Sequence, residues 1–148
     1  MSARQPQKGS GQVGKSKTLP TLEYRLLIAP RYNEREQRYK TLILLETIQV
    51  FSTFRYEISV REELSDHTLH LTILGLKAPR LSLPASGHAH FSREYDNLRG
   101  TYEVTIEGLD GRTNTFSLRI TQNQVSLLKA PSKKFVEAVV DESRWRSL

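Results

Sequence analysis

Four histidines carry the first hint of chemistry: His67, His70, His88 and His90. On a strand, His88 and His90 project from one face two residues apart, roughly 6.5–7 Å. Two imidazoles so placed can hold one divalent metal, and a third ligand completes an open site with room for a reactive water. His70 is a candidate third ligand if its strand lies alongside, and Glu94 is a candidate carboxylate. The plainer explanation is that His-X-His arises readily by chance and that histidines are common on strand surfaces. A divalent metal is therefore the alternative expectation, because its ligand set is incomplete.

The run His88-Ala89-His90-Phe91-Ser92-Arg93-Glu94, followed by Gly100, resembles part of the first metal motif of the cupins. That resemblance covers about a dozen residues and implies a jelly-roll barrel with its metal ligands among them. No histidine follows His90, so the ligand of a second cupin motif is absent.

Gly9-Ser10-Gly11-Gln12-Val13-Gly14-Lys15-Ser16 satisfies the phosphate-loop pattern and, through Gly9, Gly11 and Gly14, the dinucleotide glycine pattern. Such loops work only after a buried strand and before a helix, whose amide end faces the phosphates. Only eight residues precede Gly9, and Pro20 would interrupt the helix within its first turns. The match is a linker of glycine, serine and lysine. Glu62-Glu63 and Asp141-Glu142 fall in polar segments and are solvated pairs. No serine lies in a nucleophile-elbow context. Arg93, Tyr95, Asn97 and Arg99 make the stretch after the His-X-His pair the richest in hydrogen-bonding groups. They are a candidate contact loop, against the simpler expectation of a crossing with Tyr95 tucked on the core.

The elements that must position these groups are strands. Tyr102, Val104 and Ile106 alternate with polar residues, and Phe116, Leu118 and Ile120 do the same. A two-residue turn at Asp110-Gly111 would oppose Ile106 to Thr115, apolar to polar, whereas opposed residues share a face. A three-residue loop, Leu109-Asp110-Gly111, opposes Val104 to Phe116 and Tyr102 to Leu118, with Gly111 at the left-handed position. A turn at Gln122-Asn123 then opposes Ile120 to Val125 and Leu118 to Leu127, carrying the meander through Ala130.

Upstream, residues 22–28 form a strand closed by Ala29-Pro30, and 31–40 form a charged connection with room for one helical turn. Residues 41–60 read as two strands meeting near Ser52-Thr53, at a bend or bulge. Residues 61–66 are a polar loop, 67–76 a strand and 88–92 a short strand. Residues 134–140 fit a strand or a short helix, and 141–148 fray unless Trp145 docks on the core.

With 148 residues the chain makes one domain with a sizeable core. Its net charge of +6 points first to an acidic partner. Four of the 22 basic residues and none of the 16 acidic ones fall in residues 1–20, which leaves 18 against 16, or +2, for the rest. That tail has no aromatic residue for base stacking, so nucleic acid is not the expected partner. There is no cysteine, no apolar run near the roughly 20 residues of a membrane span, and no apolar signal-peptide core. A cytoplasmic location is expected.

The expectation is thus all-β: an antiparallel two-sheet β-sandwich or jelly-roll-like barrel over residues 21–148, after a disordered basic tail over 1–20. In function it is a non-enzymatic module that binds a protein or ligand partner through a sheet edge or the loops at one end. Metal binding through His88, His90, His70 and Glu94 is the second expectation, and weak nucleic-acid binding through the tail the third.

Overall fold

A computed structural model describes residues 21–79 and 85–146, so the tail and its glycine-rich match lie outside the described residues. Nine strands and one short helix follow in chain order: β1 (Tyr24–Asn33), β2 (Arg38–Phe51), β3 (Glu57–Ser65), β4 (Thr68–Lys77), β5 (Gly87–Tyr95), β6 (Gly100–Glu107), β7 (Thr113–Ile120), β8 (Val125–Lys129), β9 (Val136–Val139) and α1 (Glu142–Arg146). All nine strands join one sheet in the order β9-β1-β2-β5-β3-β4-β6-β7-β8. It curls into a half-barrel.

The fold is all-β, but it is one mixed sheet in place of the expected antiparallel two-sheet sandwich. Three pairings are parallel: β9 with β1, β5 with β3, and β4 with β6. The cause is topological. The β3–β4 hairpin is inserted between β5 and β6, strands that are consecutive in sequence, so each flanks the hairpin in parallel.

Period-two alternation selects the face that lines the curl. Leu26, Ile28, Ile43, Leu45, Leu69, Leu71, Val104, Ile106, Phe116 and Leu118 are all buried in one cluster there. Burying such side chains removes about 25 cal/mol per Å² of apolar area from water, which drives the curl. The opposite face has its own small cluster, Leu27, Ala29, Leu42 and Val139, with Leu44 and Trp145 packed against it. Trp145 therefore docks, and it lies 4.4 Å above the Arg25 guanidinium.

The meander registers as its phase dictates: Val104 opposes Phe116, Tyr102 opposes Leu118, Ile120 opposes Val125 and Leu118 opposes Leu127. Gly108 and Arg112 close the three-residue loop at 2.8 Å, and Gly111 takes φ 88°. Four upstream boundaries differ from expectation. Strand β1 runs through Pro30, which is tolerated because β9 pairs only with Tyr24–Leu27 and leaves that edge open. The charged connection is a hairpin turn over residues 34–37, with no helix. Residues 61–65 continue β3 as strand, and residues 93–95 continue β5. The 134–140 segment is resolved as strand β9.

Two joints close the curl. Between β5 and β3 the register records a single residue pair, His90 with Glu57, and one backbone bond from His90 N to Tyr56 O at 3.1 Å. At the other joint the buried Asn114 side chain accepts from the backbone N–H of Phe135 (2.9 Å) and Val136 (3.1 Å), and donates to Lys133 O (3.0 Å). It staples β7 to the segment that enters β9.

Candidate functional site

The histidines of the expected metal set are dispersed. His88 and His90 share the outer face of β5, as the alternation requires. The His88 Nδ1–H donates to the Thr47 carbonyl at 2.7 Å. His90 opposes Glu46 on β2 and Glu57 on β3, and its Nδ1 is buried with no partner among the described residues. Glu57 also opposes Lys77, whereas His70 lies seven residues from Lys77 on β4 and opposes Glu63. At about 3.3 Å per residue that is roughly 20 Å from the His90 row. His70 bonds instead to Glu107, Nε2 to Oε1 at 2.9 Å. Glu94 opposes Leu42, four residues beyond His90. Among the described residues no three His, Asp or Glu side chains gather as a metal-holding group.

Of the expected contact residues, Arg93 and Tyr95 end β5, while Asn97 and Arg99 lie in the connection before β6. Arg93 donates from Nε to Glu62 Oε1 at 3.0 Å and pairs with Glu62 Oε2, and the Tyr95 hydroxyl donates to the same carboxylate. Tyr95 packs on the core, and burial first, then the Glu62 carboxylate, raise its phenol pKa above the usual range. Asn97 takes φ 61° in the turn that follows. Arg99 Nη1 donates to Leu98 O at 2.8 Å, and its carbonyl accepts from His67 Nε2 at 3.2 Å. Asp96 is within 3.1 Å of Arg38.

What the fold does open is the end of the half-barrel where β1 begins and β2 and β4 end. A cavity of about 390 Å³ lies there. Its floor is Tyr24, Phe51 and Ile73, side chains that belong to or pack on the core. Its rim carries Leu22, Ile48, Leu76 and Leu109, exposed at 39%, 41%, 43% and 68%. A second hollow of about 280 Å³ adjoins it on the outer face, lined by Leu22, Arg25, Ile48, His88 and Glu137. Leu22 and Ile48 line both.

A bulge in β2 presents Ile48 in this position. The β2–β5 register slips between Glu46 and Val50, which would orphan a ladder donor on β5. Thr47 supplies the missing partner: its hydroxyl accepts from Ala89 N at 2.9 Å and donates to Gln49 O at 2.8 Å. Ile48 N then bonds to Glu23 O at 2.9 Å, tying the start of β1 to the rim.

Sequence reasoning did not find this mouth, because its rim residues come from four separate stretches. The signals available were a leucine in a tight hairpin loop, Leu109, and Ile48 beside the break at Glu46. The charged side chains lining the mouth and hollow all have partners. Glu23 pairs with Arg112, Arg25 with Glu46 at 2.7 Å, and Glu137 with Lys134 at 3.4 Å.

No family model, curated protein or solved structure matches the chain.

Proposed function

We propose that the protein is a non-enzymatic binding module whose site is the open mouth of the half-barrel, where it takes an apolar group. The observation that carries this reading is the rim of four exposed leucine and isoleucine side chains around a cavity of about 390 Å³. Scattered exposed apolar residues are ordinary, but ones that converge on a concavity expose an apolar surface with a use. The volume falls inside the roughly 300–1,000 Å³ range of ligand pockets, and barrel mouths are a recurrent place for them.

The test is fluorescence of N-phenyl-1-naphthylamine, an uncharged apolar probe that brightens out of water. The wild type is expected to enhance it saturably. An Ile48→Ser/Leu109→Ser variant, which alters only exposed rim positions, is expected to lose most of that enhancement while unfolding at a similar temperature. Equal enhancement by both proteins would place the probe elsewhere and overturn the reading.

A further inference from the structure

We infer, resting on the reading of the mouth as a binding site, that its occupant is an uncharged apolar molecule with one acceptor oxygen, in the simplest case a ketone, which takes a hydrogen bond from the Tyr24 hydroxyl on the floor.

Tyr24 opens β1 on the inner face, in phase with the buried Leu26 and Ile28. Its ring belongs to the core and meets the Phe135 ring edge-on, with centroids 6.4 Å apart. The hydroxyl is a different matter. Among the described residues it makes no hydrogen bond, yet the buried side-chain atoms that lack a partner there are Arg25 Nε, Thr72 Oγ1 and His90 Nδ1. An unbonded hydroxyl outside that set is open to its surroundings, and the cavity that Tyr24 lines is the mouth. A tyrosine held in a core ordinarily finds a partner for its O–H. Here the place for that partner is in the mouth.

The neighbours decide which partner fits. Burial first, and then the Glu23 and Asp110 carboxylates, raise the phenol pKa, so the hydroxyl keeps its proton and acts as a hydrogen-bond donor. Thr47, the other hydroxyl on the wall, is already engaged with Ala89 N and Gln49 O. Glu23 is the charged side chain of the wall, and it shares the Arg112 guanidinium with Asp110. Two carboxylates on one guanidinium leave an excess of negative charge beside the hydroxyl, which opposes an anionic acceptor. An ammonium group offers no acceptor at all. An uncharged oxygen meets the donor without that repulsion and without the cost of desolvating a charge. Leu22, Ile48, Leu76 and Leu109 hold the apolar body.

The experiment displaces N-phenyl-1-naphthylamine from the full chain at neutral pH with acetophenone, benzoate and ethylbenzene, the last having the carbon skeleton of acetophenone without its oxygen. In the wild type, benzoate should be needed at a concentration at least about tenfold above acetophenone. Tyr24→Phe removes the hydroxyl and keeps the ring. It should raise the acetophenone concentration required, relative to that of ethylbenzene in the same protein, by about 3- to 10-fold, the scale of one neutral hydrogen bond. Taking the ratio within each protein cancels any general change in the mouth, so a structural effect of the substitution does not imitate loss of the bond. An unchanged ratio, or benzoate as effective as acetophenone, overturns the inference and leaves the mouth as a site of different selectivity. Failure of the probe to bind the wild type overturns the mouth as well.

Discussion

Tyr95 shows how far a single side chain is governed by its neighbours. Its ring packs on the core and its hydroxyl donates to Glu62, which also receives Arg93. Both burial and the carboxylate favour the neutral phenol, so its folded pKa is raised above the ordinary value of 10.0. A raised pKa means that the folded chain keeps a proton the unfolded chain releases. The stabilisation is complete below about pH 10 and is lost as pH climbs beyond it. The denaturant midpoint of the wild type should therefore fall between neutral pH and about pH 11. Tyr95→Phe should flatten that fall without removing it, because burial and the nearby Glu23 raise Tyr24 in the same direction. Curves of identical slope for the two proteins would show that Tyr95 titrates alike in both states. The sequence pointed to these residues as a contact loop because hydrogen-bonding capacity is visible in it and partners are not. Glu62 lies 31 positions from Arg93, and only the β5–β3 joint brings them together.

At the level of elements, local chemistry and phase account for what could be read in advance. The β6–β7–β8 meander follows from alternation plus the rule that opposed residues share a face, and its registers appear as derived. The errors arise where a strand carries polar residues or a proline for reasons set by its neighbours. Residues 61–65 look like a loop, but within the β3–β4 hairpin they are paired continuously with Thr68–Thr72. Pro30 looks like a terminator, but β9 stops short of it. The β2 bulge is the clearest case. Glu46 interrupts the apolar pattern, yet nothing in the sequence says that Thr47 will take over the ladder bond of Ala89. Replacing Thr47 by Val leaves the buried Ala89 N–H unpaired, at a cost of about 1–3 kcal/mol. Thr47→Ser keeps the hydroxyl and should cost less than about 1 kcal/mol. Urea unfolding of the two variants separates them, and a larger loss in Thr47→Ser than in Thr47→Val would mean that the methyl group, not the hydroxyl, holds the bulge.

For the molecule as a whole, the sandwich expectation rested on a succession of short strands with turns between them, a pattern that does not say which strands pair. Here β5 slips between β2 and β3, and the hairpin that follows β2 separates β5 from β6, so the sheet is mixed and continuous. Its curl leaves one end with Tyr24, Phe51 and Ile73 below a rim drawn from the segment before β1, from β2 and β4, and from the β6–β7 loop. No local pattern encodes that convergence, and for this reason the site was not legible while the strands were. The His-X-His pair was legible as chemistry, but His70 and Glu94 stand on other rows of the sheet. Among the described residues no helix is long and apolar enough to cross a membrane.

The open mouth as a binding site is the central claim, and an amide NMR titration of the labelled protein with 1-octanol tests it most directly. The account predicts saturable shifts at Leu22, Ile48, Leu76 and Leu109, with the exposed edge residues Leu127 and Leu128 unmoved. Shifts centred on the β8 edge, or none that saturate, would contradict it.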